Sequence, residues 1–160
     1  MRGFFDGVIF KGLHAIMSLS DYLYMYFRNM KTLYTLPVPS TSLTSEAKFK
    51  EKLGRACTLT CEYEDESESE IMVLAMFFEG TEAYKATYYC ARDIETLRAY
   101  DKVVDFGETD WLKKIRKNLK RDSSANVTNL SHLVVNFDDG PAYEFICREF
   151  RTEIYPKVKG

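Results

Sequence analysis

No glycine-rich phosphate loop is present in this chain: its eight glycines are scattered, and none forms GxGxxG or GxxxxGK[ST]. Histidine is scarce. His14 and His132 are the only imidazole bases, so nucleophile–base chemistry has few players. A Cys147–His132 pair is conceivable on the last hairpin, but the two residues fall in opposite alternation classes and are expected to face different ways. No second Cys/His pair has metal spacing. Cys57 and Cys61 would stand about 13 Å apart along a strand, too far to share a zinc whose ligand bonds are ~2.3 Å. No cofactor and no metal is therefore expected. Long apolar runs are also lacking: Asp6, Lys11 and Asp21 interrupt the N-terminal stretch, which excludes an export signal or a membrane span there. The expectation is an intracellular, cytoplasmic chain in which Cys57, Cys61, Cys90 and Cys147 are reduced core residues. Neither sign of charge dominates. With 22 basic and 24 acidic residues the net charge is −2, so the total implies no polyanion partner.

Aromatics, by contrast, are abundant. Eleven Phe, eleven Tyr and one Trp make 14% of the chain, which argues for an ordered core or an interface. The length of 160 residues fits one domain.

Hydrophobic spacing supplies the expected elements. Phe5, Ile9, Leu13, Ile16, Leu23, Phe27, Met30 and Tyr34 recur at helical steps, which predicts a helical segment over residues 1–35. The prolines of Leu36-Pro-Val-Pro make a loop, and a short helix over 45–53 with Ser45 as its cap follows. Cys57, Leu59, Cys61 and Tyr63 alternate with polar residues, as in a half-buried strand. The run Ile71–Phe78 reads as a central strand covered on both faces, with Glu79-Gly-Thr-Glu as a hairpin loop and Tyr84–Cys90 as its return. A helix over 92–104 and a second from Asp110 through Arg121 come next. His132–Phe137 and Tyr143–Phe150, joined by the turn Asp138-Asp-Gly-Pro, form a closing hairpin. The fold class expected is α+β: an antiparallel sheet of about five strands with helices packed on one face. It would be a single domain over 1–160, with its sheet-and-helix core over 55–160.

Ala86-Thr-Tyr-Tyr-Cys-Ala-Arg-Asp93 resembles the end of an immunoglobulin variable-domain framework, and Cys57-Thr-Leu-Thr-Cys61 resembles its first cysteine strand. The resemblance stops at about thirteen residues. Only 28 residues separate Cys61 from Cys90, and Trp111 follows the second cysteine instead of lying between the two. The chain is not identified as a member.

Charge is segregated. Glu62, Glu64, Asp65, Glu66, Glu68 and Glu70 form an acidic stretch; Lys113, Lys114, Arg116, Lys117, Lys120 and Arg121 form a basic one. Trp111, Leu112, Ile115 and Leu119 interleave with the cations at helical spacing, so one face docks while the other displays positive charge. The bland reading is a solvated amphipathic helix. The functional reading is a non-enzymatic interaction or assembly module that meets a protein partner or another copy of itself. Its basic helix would face an acidic surface, with Tyr24 and Phe27 as apolar anchors. Nucleic-acid binding through helix 111–121 is the first alternative; a small-ligand protein or enzyme with a pocket not visible in the sequence is the second. A membrane surface ranks below a protein, because the polar face of the N-terminal segment is poor in lysine.

Overall fold

Period-two alternation, more than helical spacing, governs this chain. The computed structural model describes residues 30–67, 69–122, 125–138 and 140–158. Among them run nine strands: β1 (Lys31–Thr35), β2 (Lys48–Lys52), β3 (Ala56–Asp65), β4 (Glu70–Glu79), β5 (Ala83–Thr87), β6 (Lys102–Asp105), β7 (Ser131–Asn136), β8 (Ala142–Cys147) and β9 (Glu149–Pro156). One α-helix accompanies them, α1 (Asp110–Leu119). The strands form two antiparallel sheets, ordered β2-β3-β4-β9 and β1-β6-β7-β8-β5.

The sheets pack face to face. Cys57, Leu59 and Cys61 of β3, with Leu74, Met76 and Phe78 of β4, project into the same core as Leu133, Val135 and Phe145 of the other sheet. Phe78 and Phe145 stack across the layers with ring centroids 3.8 Å apart. This is the sheet-on-sheet architecture in which both inner faces supply the core.

Two of the three crossings between the sheets, β4 to β5 and β8 to β9, meet at one corner. After β4, Gly80 takes a left-handed conformation (φ +62°), and a Cβ there would lie 3.1 Å from the Arg148 side chain. Glycine is suited to the conformation and to the close approach. Arg148, between β8 and β9, donates to the Gly80 carbonyl (3.0 Å) and pairs with Glu82 (2.7 Å). Its own backbone N–H reaches the Glu79 carbonyl at 2.9 Å.

Several sequence expectations are corrected. The fold is not α+β with helices on a single sheet; it is mostly antiparallel β in two sheets. The N-terminal helix was expected to reach residue 35, yet Lys31–Thr35 is an edge strand paired with β6, and residues 1–29 lie outside the described ones. The expected helix over 45–53 is β2: Phe49 alone points into the core, while Lys48 and Lys50 face out. Residues 92–104 hold a 3-10 segment, Ile94–Ala99, followed by β6. Asp101 at φ +57° breaks the helical path between them. Tyr84 does not return along β4, because β5 crosses to the other sheet and pairs with β8. The expected strand Tyr143–Phe150 is split at Arg148 between two sheets.

Candidate functional site

Helix α1 starts where it does because Thr109 caps it: the hydroxyl accepts from the backbone N–H of Leu112 at 3.3 Å. Leu112 is buried against Leu130 and Ile146, with Trp111, Ile115 and Leu119 packed alongside. The helix thus lies on the outer face of the five-stranded sheet, over β8. The 3-10 segment Ile94–Ala99 covers the neighbouring part of that face, where Ala99 packs with Val104, Phe106 and Val134.

The six cations expected to bind a partner do not act alike. Arg116 is bound within the fold, to Glu108 and to the Leu130 carbonyl at 2.7 Å. Lys113 pairs with Asp110 at 3.1 Å. Lys114, Lys117, Lys120 and Arg121 are exposed, and no ion pair engages them among the described residues. Tyr24 and Phe27 lie outside the described residues. The acidic stretch is partly neutralised: Glu62 takes Lys48 at 3.2 Å and Lys157 at 2.6 Å. Asp65 holds its own turn by accepting from Ser67 at 2.9 Å.

Between α1 and the 3-10 segment the outer face stays open as a cleft of about 400 Å³. Its floor is a line of polar side chains crossing β5, β8 and β7. Lys85 Nζ lies 3.0 Å from Glu144 Oε1. Glu144 Oε2 lies 2.9 Å from His132 Nε2, and His132 Nδ1 lies 2.9 Å from Thr109 Oγ1. With the imidazole hydrogen on Nε2, each link has a donor and an acceptor: Nε2–H donates to the carboxylate, and the Thr109 hydroxyl donates to Nδ1 while accepting from Leu112. Trp111 packs edge-on to His132, with centroids 5.1 Å apart, and presents its ring to the Lys85 ammonium at 4.9 Å.

Burial pulls the Glu144 carboxyl upward, but the hydrogen bonds from His132 and Lys85 and the Lys85 charge outweigh it and hold the group below its ordinary value. Glu144 is therefore an anion at neutral pH, buried yet paired. Asp93, Glu95, Glu108 and Asp110 surround the mouth of the cleft.

A hydroxyl, an imidazole and a carboxylate in one line have the order of a nucleophile–base–orienter set. Thr109 is only 7% exposed, however, and its lone pair is engaged in capping α1. The line positions the helix on the sheet. Thr109→Ala should cost about 1–2 kcal/mol, because it removes the cap and leaves Nδ1 unpaired. Urea unfolding checks this, and an unchanged midpoint would show that the hydroxyl caps nothing. Cys147 takes no part: it faces the inter-sheet core while His132 faces the cleft. Burial pushes the thiols of Cys61 and Cys147 up to about 12, so neither is a thiolate at neutral pH. Among the described residues no group of acidic, His and Cys side chains is arranged to hold a metal, and no helix is long and apolar enough to cross a membrane.

Lys85, Thr109 and Glu144 were missed in the sequence. One signal was there to read: Glu144 is a lone charge in the apolar strand Ala142-Tyr-Glu-Phe-Ile-Cys147, and such charges are seldom buried without partners. Compared with protein-family models, curated proteins and solved structures, the chain matches none. Its chemistry has to be read from its own residues.

Proposed function

We propose that this chain is a non-enzymatic interaction module that meets an acidic protein surface through the solvent face of α1. The reading rests on Lys114, Lys117, Lys120 and Arg121: four exposed cations with no ion pair among the described residues, two on α1 and two in the cap and turn that follow it, with the other face of the helix anchored to the sheet. A fixed helix presents its charges in a constant geometry, which favours steering and orientation of a partner. Arg116 is set apart because Glu108 and the Leu130 carbonyl hold it; Lys113 makes only a solvent-exposed pair with Asp110. Four cations in one short stretch make a smaller basic surface than nucleic-acid binding calls for, and the chain is acidic overall.

The triple variant Lys114→Glu, Lys117→Glu, Lys120→Glu should lose a stoichiometric protein partner that the parent retains at moderate salt. Its melting temperature should stay within about 6 °C, because three exposed substitutions at under about 0.5 kcal/mol each leave the fold intact. Co-purification from native cells with mass spectrometry reads the first outcome, and a thermal melt the second. A partner retained by the variant, or a variant that unfolds, would sink this reading.

A further inference from the structure

We infer that the cleft beside α1 is a recognition site for an organic cation, an alkylammonium group of the kind found on lysine side chains and small polyamines. Its recognition element is the pair formed by the Glu144 carboxylate and the Trp111 ring. The fold already shows what that pair accepts. The Lys85 ammonium lies 3.0 Å from Glu144 Oε1 and 4.9 Å from the Trp111 centroid, a charge-assisted bond and a cation–π contact on one group. Lys85 stands on the edge strand β5 and its side chain is 46% exposed, so an incoming ammonium can exchange with it.

The surroundings favour the same sign. Five carboxylates line the cleft (Asp93, Glu95, Glu108, Asp110 and Glu144) against the ammoniums of Lys85 and Lys113. The N-terminus of α1 adds about half a positive charge, and Arg116 sits on Glu108 as Lys113 does on Asp110; the lining carboxylates still outnumber these cations. Asp93 is exposed and has no ion pair among the described residues, so it is ready to take a second cationic group. Phe106 and Trp111 give an aliphatic chain apolar wall to lie on, and about 400 Å³ holds a ligand of side-chain size.

Trp111 is the single tryptophan of the chain, so its emission reports directly on the site. The full chain is titrated with 1,4-diaminobutane and with N-acetyl-lysinamide, using uncharged 1,4-butanediol as control. Both ammonium probes should change Trp111 emission saturably while the diol does not. Tighter binding of the diamine would mark a free polyamine as the ligand, and tighter binding of the amide a lysine side chain. Lys85→Met, which empties the carboxylate–indole pair, should bind the same probes about tenfold more tightly. Asp93→Asn with Asp110→Asn alters exposed residues only and should bind about tenfold more weakly, with its melt lowered by no more than about 4 °C. The inference is overturned if neither the parent nor Lys85→Met responds below about 10 mM. An equal response to the diol, or undiminished binding in the double variant, would overturn it as well. None of these variants touches Lys114, Lys117 or Lys120, so this result and the partner-binding result fail separately.

Discussion

Phe145→Ala is expected to lower the unfolding free energy by about 4 kcal/mol, the middle of the range for an aromatic truncated in a core. Phe145 is fully buried and stacks on Phe78 at 3.8 Å. It also reaches Phe49 at 6.3 Å and Tyr143 at 6.4 Å. Phe78 and Phe49 belong to the four-stranded sheet and Phe145 to the five-stranded one, so the truncation opens a void between the layers. A void there is lined by both sheets, and neither can close on it without shifting the other. Domains are stable by only about 5–15 kcal/mol in total, so the loss is a large share. Equilibrium urea unfolding measures it. A change below about 1 kcal/mol would mean that the two sheets do not pack on this residue.

The second large effect falls on Glu144. Removing one partner of a buried hydrogen bond leaves the other unsatisfied and costs about 1–3 kcal/mol. Glu144→Ala would orphan the buried His132 Nε2 and take from the half-exposed Lys85 its ion pair. The pH dependence has a definite sign. Because the folded carboxyl is held below its ordinary value of 4.5, its contribution is fully present above that pH. As pH falls below 4.5 through the lower folded value, the contribution is lost. Glu144→Gln, which removes only the charge, should therefore be less stable than the parent at neutral pH, with the gap narrowing in acid. Thermal melts of both chains from about pH 7 down to about pH 3 test this. A gap that stays constant across the range would show that the charge of Glu144 contributes nothing.

What could be read beforehand depended on how many residues voted for a period. β3 was legible because Cys57, Leu59, Cys61 and Tyr63 all fall inward, and β7 because Leu133 and Val135 do. β2 was not, because Lys48-Phe-Lys-Glu-Lys52 holds one apolar residue among charges that suit a helix equally well; only its pairing with β3 makes it a strand. In 92–104 the apolar positions did fit a helix, yet Ile94 and Leu97 are exposed and Val103 and Val104 are strand residues. The cleft was illegible for a topological reason. Lys85 meets Glu144 only because β5 leaves its sequence neighbour β4 and pairs with β8. Nothing local in Glu79-Gly-Thr-Glu distinguishes that crossing from a hairpin. Of the charged helix, the sequence showed which residues were cationic, but not that Arg116 would be drawn in by Glu108 and Leu130.

The pairing of β4 with β9 sets a condition on the order of folding. Glu79 meets Glu149 and Met72 meets Pro156, partners seventy or more positions apart. Strands β2, β3 and β4 can assemble from local hairpins, whereas β4 keeps one side of its backbone unpaired until residues 149–156 have been synthesised. That side belongs to the most apolar strand among the described residues, with the run Ile71–Phe78. Long-range closure of this kind is slow, and an open apolar edge is a template for pairing with other chains. On the ribosome, the nascent chain therefore passes through an interval in which this sticky edge waits for β9.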